Sequence, residues 1–343
     1  METLMKTRFC RFTFSAIASA LVLAVACGPA SAKSESLEHV TIGQTSIGYH
    51  SLLINVAKDQ KLFKKHGFDA KVVVLNGDAG TIPALVSGSV EFAMSTSTPL
   101  LVANKKGGNL LAIAPIAAFP EQIVMAGKVA SAKGISGKTS IQDKVKSLKG
   151  LNIGILDVGG GLQYTLYSVL DKYGMKHQDV NLVAIKPYSS MISALRAGRV
   201  AAIAPVVPWG NFFVDEYHGV MIANVWGGEV PGLEGQMFEF MEVRRGWADK
   251  HPDAVERMQA VFKDAMDYVH KNPQGAVKVA QKLMPKIPEK VLEEGLDGGK
   301  GYPTTTTISK AMFEQMQRFA KLSGQDTSSV TYEGTVWHRP AHH

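Results

Sequence analysis

What most constrains the fold of this chain is a rhythm: from His39 onward, short apolar strands alternate with amphipathic helices, and the order is run through twice. Val40 to Gly43 reads as a strand, and Leu52, Leu53, Val56, Ala57 and Phe63 then recur at helical spacing until Gly67, a helix stop. Strand 68–75, a short helix ending at Gly88, strand 90–94, helix 98–106 and strand 110–117 complete a first half. Ser140 caps the next helix, and strand 151–156, helix 162–173, strand 180–185, helix 190–197 and strand 200–204 repeat the order. Strands separated by helices predict parallel, doubly wound sheets, so the fold class is α/β with two lobes. The halves share a written junction, Ala84-Leu85-Val86-Ser87-Gly88-Ser89-Val90 against Ala194-Leu195-Arg196-Ala197-Gly198-Arg199-Val200. It is either a generic helix stop before a strand or the mark of two repeated lobes. After a strand at 238–243 the chain turns helical, over 252–270, 274–283, 288–296 and 309–322, and residues 324–343 look irregular.

The N-terminus differs from everything after it. Lys6, Arg8 and Arg11 precede an apolar run from Ala16 to Ala26, and Ala30-Ser31-Ala32 offers a cleavage position, the pattern of a secretory signal peptide over residues 1–32. Ala24-Val25-Ala26-Cys27 is a rival reading, a lipoprotein box that would leave Cys27 as the lipidated first residue, although Ala24 stands where such boxes favour Leu. Both expectations place the protein in the periplasm. Cys10 and Cys27 are the only cysteines, so cleavage after Ala32 leaves no thiol nucleophile, disulfide or Cys-ligated metal. It also leaves 34 basic against 29 acidic side chains, a mild positive balance without a dense basic block, which excludes nucleic acid as a partner.

In open α/β sheets, ligands sit where loops leave the carboxyl ends of the strands. In the first half these loops are 45–50, 76–80 and 95–99; in the second they are 157–161, 186–190 and 205–209. They are rich in glycine and hydroxyl side chains, and most lead into helices, whose N-termini offer free N–H groups and a partial positive charge to an anion. Gly160 and Gly161 would let an anion approach the backbone; otherwise the triple glycine is a flexible turn, since it carries neither a phosphate-loop ending nor a GxGxxG pattern. Ser95, Thr96 and Ser97 are candidate ligand donors or a solvated cap. Trp209 is the candidate cleft wall, with Tyr49 and Trp226 weaker on the same logic. Catalytic readings fare poorly: His50 paired with Asp78 has no nucleophile at a sharp elbow, no HExxH occurs, and His338, His342 and His343 read as a solvated end. No cofactor, metal or catalytic residue is expected.

Three stretches, at residues 57–68, 84–92 and 250–255, carry a resemblance to the substrate-binding proteins of ABC importers in the nitrate, sulfonate, taurine and thiamine-precursor group. The likeness runs from about residue 40 to about 290. It implies a periplasmic-binding-protein fold of type II, a two-strand hinge, and lobes that close like a flytrap. The lobes would interleave: 33–120 in lobe one, 121–240 in lobe two, and 241–343 completing lobe one. It further implies a monomer that captures a small molecule and delivers it to the transmembrane subunits of a permease. The site residues it carries over are Ser46, Gly77, Ser95, Thr96, Ser97, Gly160, Gly161 and Trp209. Where relatives often place an acid before the Pro-Trp pair, this chain has Val206-Val207-Pro208-Trp209, which fits an anion (sulfonate, nitrate or organic carboxylate) or a neutral ring. The alternatives are an enzyme of the thiamine-type pyrimidine kind on the same fold, whose relatives carry a cysteine-rich motif absent here, and a sensor subunit.

Overall fold

The computed structural model describes residues 37–339. The signal-peptide and lipoprotein readings, and His342 and His343, lie outside that range. Four strands, β1 (Glu38–Gln44), β2 (Phe68–Val74), β3 (Phe92–Thr96) and β4 (Leu110–Ala118), begin one sheet. The chain then leaves for a second sheet of β5 (Gln122–Met125), β6 (Asn152–Ile155), β7 (Asn181–Ala184), β8 (Ala202–Ile203) and β9 (Val220–Asn224), and returns with β10 (Met237–Arg244). The strand orders are β2-β1-β3-β10-β4 and β7-β6-β8-β5-β9, the same arrangement twice.

The sheets are mixed rather than purely parallel. In each, the first strand after a crossing runs antiparallel to its neighbours: β10 against β3 and β4, and β5 against β8 and β9. A strand that enters from the other sheet arrives from the opposite end, so its direction is reversed. Two strands, β5 and β9, have no counterpart in the sequence reading. Each is only four or five residues long and pairs with its neighbour across about a hundred residues of chain, so no local signal marks it.

Among the described residues, ten helices of eight or more residues surround the sheets: α1 (Leu52–Asp59), α2 (Asp78–Ser87), α3 (Ser97–Lys105), α4 (Gly161–Lys172), α5 (Tyr188–Arg196), α6 (Trp209–Tyr217), α7 (Pro252–Lys271), α8 (Pro273–Leu283), α9 (Glu289–Leu296) and α10 (Lys310–Leu322). The matching junctions at 84–90 and 194–200 are true structural repeats. Gly88 and Gly198 both take positive φ, and Ser89 and Arg199 each donate their amide to the carbonyl of the alanine five residues earlier. Arg244 further seals the first copy by donating to the Leu85 and Val90 carbonyls.

β4 is buried along all nine residues although it is an edge strand, and it contains Pro115, which edges tolerate. Its outer rim is covered by later chain. Gln259 of α7 donates to the Ile113 carbonyl, the Ala118 amide donates to Gly301, and the Trp337 amide donates to Ala112. The segment 325–337 is therefore built into the fold: a single helical turn at Tyr332–Thr335 leads to Val336, bridged to Ala112, and to a buried Trp337. His338 lies against the ring of Tyr332. No described helix is long and apolar enough to cross a membrane.

Candidate functional site

The carboxyl ends of the two sets of strands face one another, and their loops bond directly across the junction. The decisive groups are two aspartates at the ends of the opposed loops. Asp78, first residue of α2, accepts from the Thr96 amide (3.1 Å) and the Thr96 hydroxyl (2.7 Å) in its own lobe, and from the Gly161 amide (2.9 Å) at the start of α4 in the other. Asp157 returns the gesture from lobe two, accepting from the Ala79 amide at 3.0 Å. Each lobe thus sends a carboxylate to the helix N-terminus of the other, where free N–H groups stabilise negative charge.

Glycine makes this approach possible. A Cβ on Gly161 would lie 2.1 Å from the Thr96 hydroxyl oxygen, and one on Gly160 would lie 2.3 Å from the Asp157 carboxylate. Gly77 adds a conformational demand, with φ at +103° and an Asp157 oxygen 2.5 Å from its would-be Cβ. The two carboxylates are out of water and near each other. Burial and then the Asp78 charge push the Asp157 carboxyl up to about 6, while burial raises Asp78 against the pull of its hydrogen bonds.

A second set of bonds joins the lobes deeper in. The Ser46 hydroxyl donates to the Tyr188 hydroxyl across the junction (3.3 Å) and meets His50 Nε2 at 2.9 Å. The Trp209 indole N–H donates to the Ile47 carbonyl at 2.8 Å, and the Tyr49 amide donates to the Val207 carbonyl at 3.0 Å. The Trp209 and Tyr188 rings sit 6.1 Å apart, tilted by 39°. His50 pairs with Ser46, not with Asp78, because Asp78 is already committed to Thr96 and Gly161. Burial pulls the His50 imidazole down to about 3, so at neutral pH it is uncharged and a feeble proton acceptor. Its Nδ1 has no partner among the described residues, so the acid that orients the base of a hydrolytic triad is missing.

The structure brings Ser46, Gly77, Thr96, Gly160, Gly161 and Trp209 to this junction. It places three other candidate residues elsewhere. Ser95 donates to Glu242 at 2.6 Å, on the face of β3 opposite Thr96, since neighbouring strand residues point to opposite faces. Tyr49 is fully buried with its hydroxyl donating to the Leu292 carbonyl of α9, so its ring belongs to the core beneath the loops. Ser97 is buried as the first residue of α3. Trp226 donates to Gly295 and packs on Tyr302, away from the loops. Sequence reasoning missed Asp78 and Asp157 as interlobe partners, Tyr188, and two buried glutamates, Glu121 and Glu239. Asp78, Asp157 and Glu121 stand in the sequence only as acids in or beside loops, Glu239 as an acid within a strand, and Tyr188 as one ring in a hydroxyl-rich loop. Among the described residues no group of three or more His, Cys, Asp or Glu is arranged to hold a metal ion.

The model of the NMT1-like family matches residues 33–284. The chain belongs to this family. A Brucella abortus (strain 2308) protein described as a candidate binding protein is 25% identical over 284 residues, 82% of either chain. Among solved structures, a Bordetella bronchiseptica RB50 protein superposes with a TM-score of 0.74 at 18% identity, covering 88% of this chain and 94% of that one. The alkanesulfonate-binding protein SsuA of Xanthomonas axonopodis pv. citri, bound to MOPS, gives 0.68 at 22% identity, covering 84% and 92%. The periplasmic nitrate-binding protein NrtA of Synechocystis PCC 6803 gives 0.64 at 14% identity, covering 80% and 73%. The family member described here therefore has the periplasmic-binding-protein fold.

Proposed function

We propose that the chain captures one small solute where the loop tips of its lobes meet, and passes it unaltered to the transmembrane subunits of an importer. One observation carries this reading: the reciprocal bonds of Asp78 to Gly161 and Asp157 to Ala79, by which the loop tips of the two sheets hold one another through polar groups. An interface of that kind can part and re-form, because each hydrogen bond exchanged with water nets only about 1 kcal/mol. A solute then favours the apposed state by touching both lobes at once. Neighbours of the same fold, described as binding alkanesulfonate or nitrate in the periplasm, support the role.

The anionic class expected from the sequence has less support here. A sulfonate, nitrate or carboxylate would have to displace the Asp78 carboxylate from Thr96 and Gly161. The test of the receptor role is a spectroscopic titration of interlobe distance against a solute panel, with recovery of the bound solute by mass spectrometry. Saturable closing with the solute recovered unchanged is expected. Turnover, or no closing with any solute, refutes it.

A further inference from the structure

Beyond the Asp78–Asp157 pair, two more carboxylates lie at the junction, and they have nothing to hold. Glu121 sits in the short segment between β4 and β5 by which the chain first crosses between sheets. It is fully buried, and neither of its carboxylate oxygens has a hydrogen-bond partner among the described residues. The hydroxyl of its neighbour Thr165 gives its proton to the Gly161 carbonyl instead. Glu239 lies on β10, the strand by which the chain returns, directly opposite Thr96 on β3 and so on the same face. It is 1% exposed, and its Oε2 is also without a partner. Gly161 ties the two together: it lies against Thr96, which faces Glu239, and takes the hydroxyl of Thr165, which stands beside Glu121. Burial, and then the charges of Asp157, Glu239 and Glu121, hold the Tyr188 hydroxyl well above its usual range. The cation that acts on this group is Lys186, an exposed residue working on Asp157.

Buried carboxylates are retained when something satisfies them, because desolvating the charge without a partner is costly. Here the amide donors are spent on Asp78 and Asp157, while the orphaned oxygens of Glu121 and Glu239 remain beside an aromatic pair. We propose that the solute carries a cationic nitrogen (amine, amidine or guanidinium) that docks against Glu121 and Glu239, flanked by Tyr188 and Trp209. The idea rests on the receptor reading and names the charge of what that receptor takes. An anion at this point would face four carboxylates, whereas a cation satisfies the two that lack partners and lowers the repulsion between the other two.

The experiment uses the full chain, stripped of solute by unfolding and refolding, and probed by calorimetry and thermal unfolding. Benzamidinium and methylguanidinium form the cationic arm; benzamide is the neutral isostere of the first; nitrate, methanesulfonate and benzoate form the anionic arm. Benzamidinium is expected to bind at least tenfold tighter than benzamide, and E121Q and E239Q are each expected to weaken it at least tenfold. Two separate variants guard against one that fails to fold. Binding in the anionic arm with none in the cationic arm overturns the proposal and leaves the receptor standing. Wild-type affinity in both glutamine variants overturns the placement of the cation. Binding in neither arm, with no lobe closure on any wider panel, overturns both.

Discussion

Gly161→Ala separates lobe closure from folding. The substitution adds one methyl group at the first residue of α4, at ordinary helical φ, where alanine favours the helix by up to about 1 kcal/mol over glycine. Lobe two should therefore fold at least as well as before. The new Cβ, however, would lie 2.1 Å from the Thr96 hydroxyl oxygen, 2.5 Å from Thr96 Cβ and 2.7 Å from the Phe238 ring, all in lobe one. Thr96 is fixed by its bonds to Asp78, and Phe238 is stacked on Phe119 at 4.2 Å, so neither has room to retreat. The strain is relieved by parting the lobes, which breaks the Gly161–Asp78 bond. A hydrogen bond to a charged group is worth about 1.5–3 kcal/mol net. At about 1.4 kcal/mol per tenfold, the apposed population should fall roughly 10- to 150-fold. Produced without residues 1–32 the chain has no cysteine, so V74C and V183C, at exposed positions on β2 and β7, accept a label pair without interference. Pulsed electron resonance between the labels reads the interlobe distance, and calorimetry reads the melting temperature. An unchanged distance distribution with an unchanged melting point would refute the argument that glycine is required by the close approach of the lobes.

Three further outcomes are expected. In the apposed state Asp157 titrates at about 6, above the ordinary aspartate value near 4, so protonation favours apposition; its contribution is complete below about pH 4 and is lost as the pH rises through 6. The same label pair should show this loss and D157N should abolish it, so a pH-independent wild type counts against the carboxylate pair. Phe92→Ala, at a fully buried ring packed edge-on against Phe68 and Trp247, should cost about 3–5 kcal/mol in urea unfolding; a change under 1 kcal/mol would contradict the packing. Tyr49→Phe removes the hydroxyl's bond to the Leu292 carbonyl and should lower stability by about 0.5–1.5 kcal/mol with little effect on solute affinity, whereas a cleft-wall tyrosine would show the reverse.

The elements legible in the sequence are those whose cause is local. Gly88 and Gly198 are needed for the positive φ that ends two helices, and Ser140 caps its helix by accepting from the Asp143 amide, so composition and position suffice. Pro252 and Pro273 open α7 and α8 for the same kind of reason. What the sequence hides is set by distant partners. Nothing near Gln122 says that it faces Asn224, and nothing near Asp78 says that its carboxylate meets an amide 83 residues away. The loop rule points to Gly160, Gly161 and Thr96, and the structure brings these groups to the junction. It left open that a carboxylate of the chain itself would be the group they hold. Ser95 differs for another reason: the sequence reading ends the strand at 94 and puts Ser95 in the loop, whereas the strand runs Phe92–Thr96, so Ser95 and Thr96 point to opposite faces.

The cover that residues 336 and 337 provide to β4 has a practical side. A strand whose rim is sealed in this way becomes sticky when the sealing residues are trimmed, because bare amides and carbonyls along an apolar ribbon recruit another copy. Shortening the protein before Thr335 for convenience of expression would thus yield a preparation more prone to self-association.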